Sequence, residues 1–283
     1  MSDLPEPALY LATGLFGLLV GSFLNVVILR LPARLNWQLR RECRDWLEDE
    51  ATAAPEEAPP GIAFPGSRCP HCGTPLRWRE NIPLLSYLLQ RGRCRHCDAA
   101  LSRQYPLVEL AAAAVALITL AVLGPGGEAV AVTGLAWAFL ALTAIDLREQ
   151  LLPDAITLPA LWIGLLLAVA GFGPTPADAI VGAVMGYGLL WLVANGYRWY
   201  SGRIGMGGGD LKLLAVIGAW AGWQLLPLAL LLAAVPAALV GIALLLAGRH
   251  RHTAIPFGPY LALGGWLVLL WGEPLQRLLH GGY

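Results

Sequence analysis

The chain has 283 residues, of which 57% are hydrophobic and 13% charged, with no net formal charge and a mean hydropathy of +0.61. A soluble domain carries about 25% charged residues, so the composition excludes an ordinary soluble globular protein and makes lipid the main solvent. Of the 19 Lys and Arg residues, 12 lie between Arg30 and Arg103, interleaved with Glu42, Asp45, Glu48, Asp49 and Glu50, and the mixture reads as a solvated loop with no nucleic-acid partner.

The first apolar run, Ala8 to Leu29, follows acidic Asp3 and Glu6, and a basic stretch comes after it. A secretory signal has the opposite flank and a shorter run, so this segment is expected to be a true span. With about 20 apolar residues per crossing, spans are expected near 8–29, 107–123, 128–145, 155–172, 178–197, 210–224, 226–247 and 256–271. The expected fold is therefore all-α and polytopic, with about eight transmembrane helices. The sixth span is short, and seven remain possible if it merges with the next across Trp220–Pro227. Tight connections fall at Gly124-Pro125-Gly126-Gly127, at Gly173-Pro174-Thr175-Pro176 and between Gly205 and Gly209, where glycine and proline suit turns.

Charge sets the expected orientation. Loops rich in Lys and Arg stay cytoplasmic, which puts 30–106 inside and the N-terminus outside. Alternation then makes 146–154 (Arg148), 198–209 (Arg198, Arg203) and 248–254 (Arg249, Arg251) cytoplasmic, while 124–128 and 173–177 carry no Lys or Arg. One topology satisfies every loop between spans; the tail with Arg277 is a mild exception. The organisation read from this is a first transmembrane helix at 1–30, a cytoplasmic loop at 31–106 and a helical membrane domain at 107–283.

Inside the loop, Leu35, Leu39, Cys43, Trp46 and Leu47 recur at about helical spacing and predict an amphipathic helix over 34–50, while 51–66, rich in Ala, Pro and Glu, reads as a linker. Cys69-Pro-His-Cys72 and Cys94-Arg-His-Cys97 are two Cys-x-x-Cys hooks 21 residues apart, close to a zinc-ribbon spacing. In a cytoplasmic loop disulfides are disfavoured, and four thiolates complete a tetrahedron with no open position for water. A structural zinc knob is expected, with His71 and His96 beside the metal or in solvent and Cys43 left as a buried free thiol.

Two aspartates carry the chemistry. Asp146 ends the third span and Asp210 opens the sixth, at the same cytoplasmic level of the topology above. A lone carboxylate there could simply reach into cytoplasmic water; two at one depth can share a proton, one polarising a carbonyl while the other activates water. A helix C-terminus disfavours negative charge and an N-terminus favours it, which suggests Asp210 as general base and Asp146 as the proton-holding acid. Gly207, Gly208 and Gly209 either let a substrate backbone or a helix come close or form a plain flexible turn. Asp154, within Leu152-Pro153-Asp154, is a rival to Asp146 and reads as an N-cap.

At these residues the chain resembles the type IV prepilin peptidases, aspartic membrane proteases of the Gly-x-Gly-Asp kind, nearly end to end. The stretches that carry the resemblance are GSFLNVVILRLP (21–32), RCPHC (68–72), NIPLLSYLLQRGRCRHC (81–97), YPLVE (105–109), AIDLREQLLPDAITLP (144–159) and GMGGGDLKLLAVIGAW (205–220). The insert at 33–66 matches no family motif. The resemblance implies an inner-membrane enzyme that removes the basic leader from prepilins or pseudopilins after a glycine. It implies Asp146 and Asp210 as the catalytic pair and Cys69, Cys72, Cys94 and Cys97 as the zinc ligands. The intact cysteine domain implies the bifunctional form, which N-methylates the new N-terminus with S-adenosylmethionine. No residue for that donor is readable; Asn25 and Glu109 are candidates for its pocket or for helix–helix hydrogen bonds. A proton- or ion-coupled transporter using the same carboxylates, or a zinc-anchored scaffold without chemistry, are the rivals; a transporter should carry polar residues at mid-membrane, whereas these lie at the interface. Oligomeric state is not legible.

Overall fold

The computed structural model describes residues 5–46, 57–203, 205–247 and 256–279. Among them the regular structure is helical: α1 (Glu6–Trp46), α2 (Leu85–Leu89), α3 (Gln104–Leu123), α4 (Gly127–Glu149), α5 (Asp154–Val169), α6 (Pro176–Ser201), α7 (Gly208–Ala221), α8 (Leu226–Leu246) and α9 (Gly258–Leu279), with short 3₁₀ turns at Trp78–Asn81 and Trp223–Leu225. The chain forms two compact units, Met1–Ile118 and Thr119–Tyr283. The expected charged loop at 248–254, the helix end at 47–50 and the linker portion at 51–56 lie outside the described residues.

The expectation of about eight transmembrane helices is met in part. Among the described residues a helix falls on each expected segment, and five are long and apolar enough by themselves to cross a bilayer: α1, α3, α4, α6 and Trp223–Leu246. With 16 and 14 residues, α5 and α7 reach about 24 and 21 Å at 1.5 Å per residue, against an apolar thickness of about 30 Å. The apolar part of α9 is similarly short, Gly258–Gly272. The sixth and seventh segments are separate, because Gly222 (φ +79°) and the 3₁₀ turn after it break the helix between Ala221 and Leu226.

In the first unit, α1 is one continuous helix of 41 residues, where a span and a separate amphipathic helix were expected. Pro32 costs it one backbone hydrogen bond, yet a proline φ is already helical, and Leu31 and Pro32 are both buried there. The helix runs on past its packing partners, so Cys43 is exposed, correcting the buried thiol expected from the pattern. Small residues let α1 and α3 touch: a Cβ on Gly17 would stand 2.6 Å from the Ala113 Cα, and one on Gly21 would meet the backbone of Glu109. In lipid there is no hydrophobic force between helices, so such close backbone packing and interhelical hydrogen bonds hold them together.

In the second unit, α7 is the central helix. Leu213, Leu214, Val216, Ile217 and Ala219 are all essentially inaccessible, as a helix apolar on every side must be. It crosses α6 backbone to backbone, Gly218 against the Gly182 carbonyl and Gly186 against the Leu214 carbonyl. Gly265 of α9 packs on Ile217 and Phe139, Gly264 on the Ala229 carbonyl, and the Trp220 indole N–H donates to the Ala160 carbonyl of α5 at 2.8 Å. Asp178, in the first turn of α6, accepts from the Trp223 indole and the Gln224 amide at 3.0 and 2.8 Å, tying that end to the turn before α8. Outward stand Trp162, Ile163, Leu166, Val169, Val184 and Leu192, all exposed. This apolar exterior is the reverse of a soluble surface and suits lipid.

Candidate active site and metal centre

Asp146 occupies the last turn of α4, whose C-cap Gln150 is left-handed (φ 51°) and returns its N–H to the Asp146 carbonyl. Asp210 is the third residue of α7. Both are buried, at 6% and 9% exposure, and both stand beside Leu152, which lies against Gly209, next to Asp210, and against Gly258, next to the Asp146 carboxylate. The structure therefore brings the two sequence-identified aspartates to the two sides of Leu152 within one unit. Oδ2 of Asp146 is buried with no hydrogen-bond partner. Its wall is Gly258, the first residue of α9, where a Cβ would come 2.6 Å from that oxygen. Gly258 is a site residue the sequence did not reveal, since nothing near it in the chain carries charge or a motif.

The segment between α4 and α5 presses against the start of α7. A Cβ on Gly209 would stand 2.7 Å from the Leu152 Cβ, whereas Gly207 and Gly208 face open space. The three glycines thus divide: Gly209 permits helix-to-loop contact beside Asp210, and the other two leave room. Asp154 is the first residue of α5 and the N-cap is Pro153, which corrects the expected cap. Its carboxylate instead receives Lys212 Nζ at 2.6 and 2.7 Å, joining α5 to α7. Lys212 had one signal in the sequence, being the only lysine. Asp154 is half exposed, unlike the two buried aspartates.

In the first unit, the hooks fold alike. Cys69 N–H donates to the Thr74 carbonyl and Gly73 N–H to the Cys69 carbonyl; Cys94 N–H donates to Ala99 and Asp98 N–H to Cys94. The residue after each hook is left-handed, Gly73 at φ +69° and Asp98 at φ +55°. Glycine and aspartate are among the residues that tolerate that conformation. The four sulfurs lie within 4.8 Å of one another, and Cys69 and Cys97 are 3.9 Å apart. Four sulfurs on a tetrahedral zinc at about 2.3 Å stand about 3.8 Å from each other, so this donor set fits the ion. A hydrogen bond from Thr74 draws the Cys72 thiol down to about 6, and the His96 amide lowers Cys94. The Ala99 amide favours the Cys97 thiolate, but burial and the neighbouring thiols outweigh it and push that thiol up to about 12. His96 turns to Glu80, Nε2 to Oε1 at 3.5 Å, and neither His71 nor His96 joins the cluster.

The two remaining candidates make helix contacts. Asn25 donates to the Gly21 and Tyr105 carbonyls at 3.2 and 3.1 Å, and Glu109 accepts the Leu84 N–H at 2.8 Å.

Residues 15–123 match the model of the bacterial peptidase A24 N-terminal domain, and residues 133–242 that of the type IV leader peptidase family. A prepilin leader peptidase/N-methyltransferase of Aeromonas hydrophila is 47% identical over 264 residues, 93% of this chain and 91% of its own. The protein of that name from Pseudomonas aeruginosa is 46% identical over 95% of this chain and 93% of its own. The chain belongs to the type IV leader peptidase family. A further member, from Burkholderia pseudomallei, is 46% identical over 94% of this chain and 86% of its own. No solved structure matches the chain. As a leader peptidase it is a multi-span membrane aspartic endopeptidase, and the cysteine cluster sits in the part matched by the N-terminal family model.

Proposed function

We propose that this enzyme cleaves the basic leader from type IV prepilins or pseudopilins after a glycine, at the cytoplasmic face of the inner membrane, with Asp146 and Asp210 as the catalytic pair. The observation that carries this is a pair of buried carboxylates on α4 and α7 either side of Leu152, one with an unpartnered oxygen, in a member of a family of leader peptidases. Two such carboxylates do not both ionise comfortably, so one proton is shared. Asp210, in the first turn of α7, draws a proton from water as it attacks the scissile carbonyl. Asp146, in the last turn of α4, supplies the proton that the carbonyl oxygen takes up. The pair titrates as a unit. Open space at Gly207 and Gly208 suits an extended substrate backbone.

The basic loops favour a topology with the N-terminus outside and the segment 31–106, including the cysteine knob between the first two spans, in the cytoplasm. The first span at 1–30 and the membrane domain at 107–283 complete this organisation, with α5, α7 and α9 as shorter crossings that keep the loops alternating and return Asp146 and Asp210 to one face. Cys69, Cys72, Cys94 and Cys97 hold zinc, which closes a segment too small for its own core and leaves no position for water. The names of the relatives support a second activity, N-methylation of the new N-terminus with S-adenosylmethionine. Mass spectrometry of a prepilin incubated with the purified enzyme and S-adenosylmethionine tests both. The expected product lacks the leader up to a glycine and carries one added methyl group; an intact prepilin contradicts the proposal.

A further inference from the structure

The first unit encloses a cavity of about 210 Å³ whose lining includes Ser22, Asn25, Tyr87, Gln90, Tyr105 and Glu109. None of these takes part in peptide cleavage as described above. Glu109 is 7% exposed. It accepts a hydrogen bond from the Leu84 N–H, and the Ser22 hydroxyl adds a second. Both donors are neutral, and among the described residues no cation pairs with Glu109. An enclosed carboxylate in that position is costly unless it meets a positive charge.

Two neighbours sharpen the point. Asn25, 3% exposed, spends its amide N–H groups on the Gly21 and Tyr105 carbonyls, and its oxygen accepts one long bond, 3.5 Å, from the Gln104 amide, so it keeps a lone pair to spare. Leu84 holds φ +57° and ψ −49°, outside the ordinary regions for a leucine, and its N–H is the one given to Glu109. Strain of this kind persists where surrounding structure enforces it and gathers at functional sites. Arg30 and Arg68 also line the cavity; Arg30 is fixed by the Gly61, Pro65 and Gly66 carbonyls at 2.7, 2.6 and 3.1 Å. The lining therefore combines two arginines, two tyrosines, neutral acceptors and two carboxylates, of which Glu80 meets His96 and Glu109 meets no cation among the described residues. That pattern fits a ligand with a carboxylate at one end and a sulfonium at the other, the sulfonium favoured by ring faces as well as by Glu109.

We infer that this cavity binds the sulfonium methyl donor and the new pilin N-terminus, and that Glu109 accepts the proton the amine must lose. The inference rests on the N-methyltransferase reading above. The N-terminal ammonium gives one proton to Glu109; the free amine attacks the methyl carbon. A C–N bond forms and the C–S bond breaks, its electron pair staying on sulfur as a thioether. The product is a secondary ammonium, and Glu109 returns its proton to water.

The test uses full-length Glu109→Gln and Glu109→Asp enzymes with prepilin and S-adenosylmethionine, scored by mass spectrometry of the product and by bound zinc. Glu109→Gln is expected to cleave normally, keep its zinc and lose methylation by at least about a hundredfold, the size of a general-base contribution. Glu109→Asp is expected to recover part of it, with the pH profile of methylation displaced. Ultraviolet cross-linking of S-adenosylmethionine to the wild-type enzyme should label peptides within 22–30 or 84–109. Undiminished methylation by Glu109→Gln overturns the inference, as does joint loss of cleavage and zinc, which marks a purely structural carboxylate, or labelling confined to the second unit. A wild-type enzyme that cleaves and never methylates sinks the underlying reading instead, and the inference with it.

Discussion

Replacing Asp154 by Asn separates the two roles an aspartate can have beside this site. Asp154 and Lys212 form a two-pronged ion pair at 2.6 and 2.7 Å, with side chains 53% and 35% exposed. An exposed pair contributes about 0.2–1 kcal/mol. If all of that were spent on holding α5 against the start of α7, kcat/KM would fall by no more than about fivefold, since about 1.4 kcal/mol is tenfold. Asp146 and Asp210 are at most 9% exposed, and a group in the chemical step costs orders of magnitude when removed. The assay is the initial rate of prepilin cleavage in detergent for wild type, Asp154→Asn, Lys212→Met and the double variant. The two single variants should lose similar, small amounts, and the double variant should lose less than their sum, by a coupling of at most about 1 kcal/mol. Loss of cleavage by a hundredfold or more in Asp154→Asn, with Lys212→Met near normal, would refute the reasoning and place Asp154 in the chemistry.

Gly218→Ala drives a methyl group into the Gly182 carbonyl at the crossing of α6 and α7. Overpacking costs about 1–3 kcal/mol, so the melting temperature in detergent and the cleavage rate should both drop; an unchanged pair of values contradicts that crossing. Zinc binding to metal-free protein should release protons, because ligating cysteines must ionise. With Cys72 at about 6 and Cys97 at about 12, Cys72 has already lost its proton at pH 7, so fewer than four protons should appear there. Lowering the pH to 5 protonates Cys72 and should raise the count while weakening the metal. Calorimetry in buffers of different ionisation enthalpy measures this, and a release of four protons at pH 7 contradicts the ordering.

Much of this molecule is legible in its sequence because the information is local. Helix positions follow from unbroken apolar runs, and the metal site from two hooks whose spacing leaves little else for four thiols to do. Asp146 and Asp210 stand out because a charge at the end of an apolar helix is rare and costly. What the sequence hides depends on contacts across distance. Lys212 meets Asp154 from 58 residues away, and no periodicity announces it. Gly258 matters because a side chain there would strike Asp146, and only the folded chain puts them together. The apolar run of the first span stops at Leu29, yet α1 continues through buried Pro32 to Trp46. Hydropathy alone also hides how unequal the apolar helices are in length. A short helix such as α7 is apolar because protein surrounds it on all sides, and a window over the sequence cannot distinguish that surrounding from lipid.

Single-turnover cleavage of a prepilin by Asp146→Asn and Asp210→Asn, each purified with its zinc and its wild-type melting temperature, tests the shared proton most directly. Both variants should be inactive over the time in which wild type completes the reaction, because neither remaining carboxyl group can hold and deliver the proton alone. Substantial cleavage by either one, in folded protein, would show that the reaction does not pass through that pair.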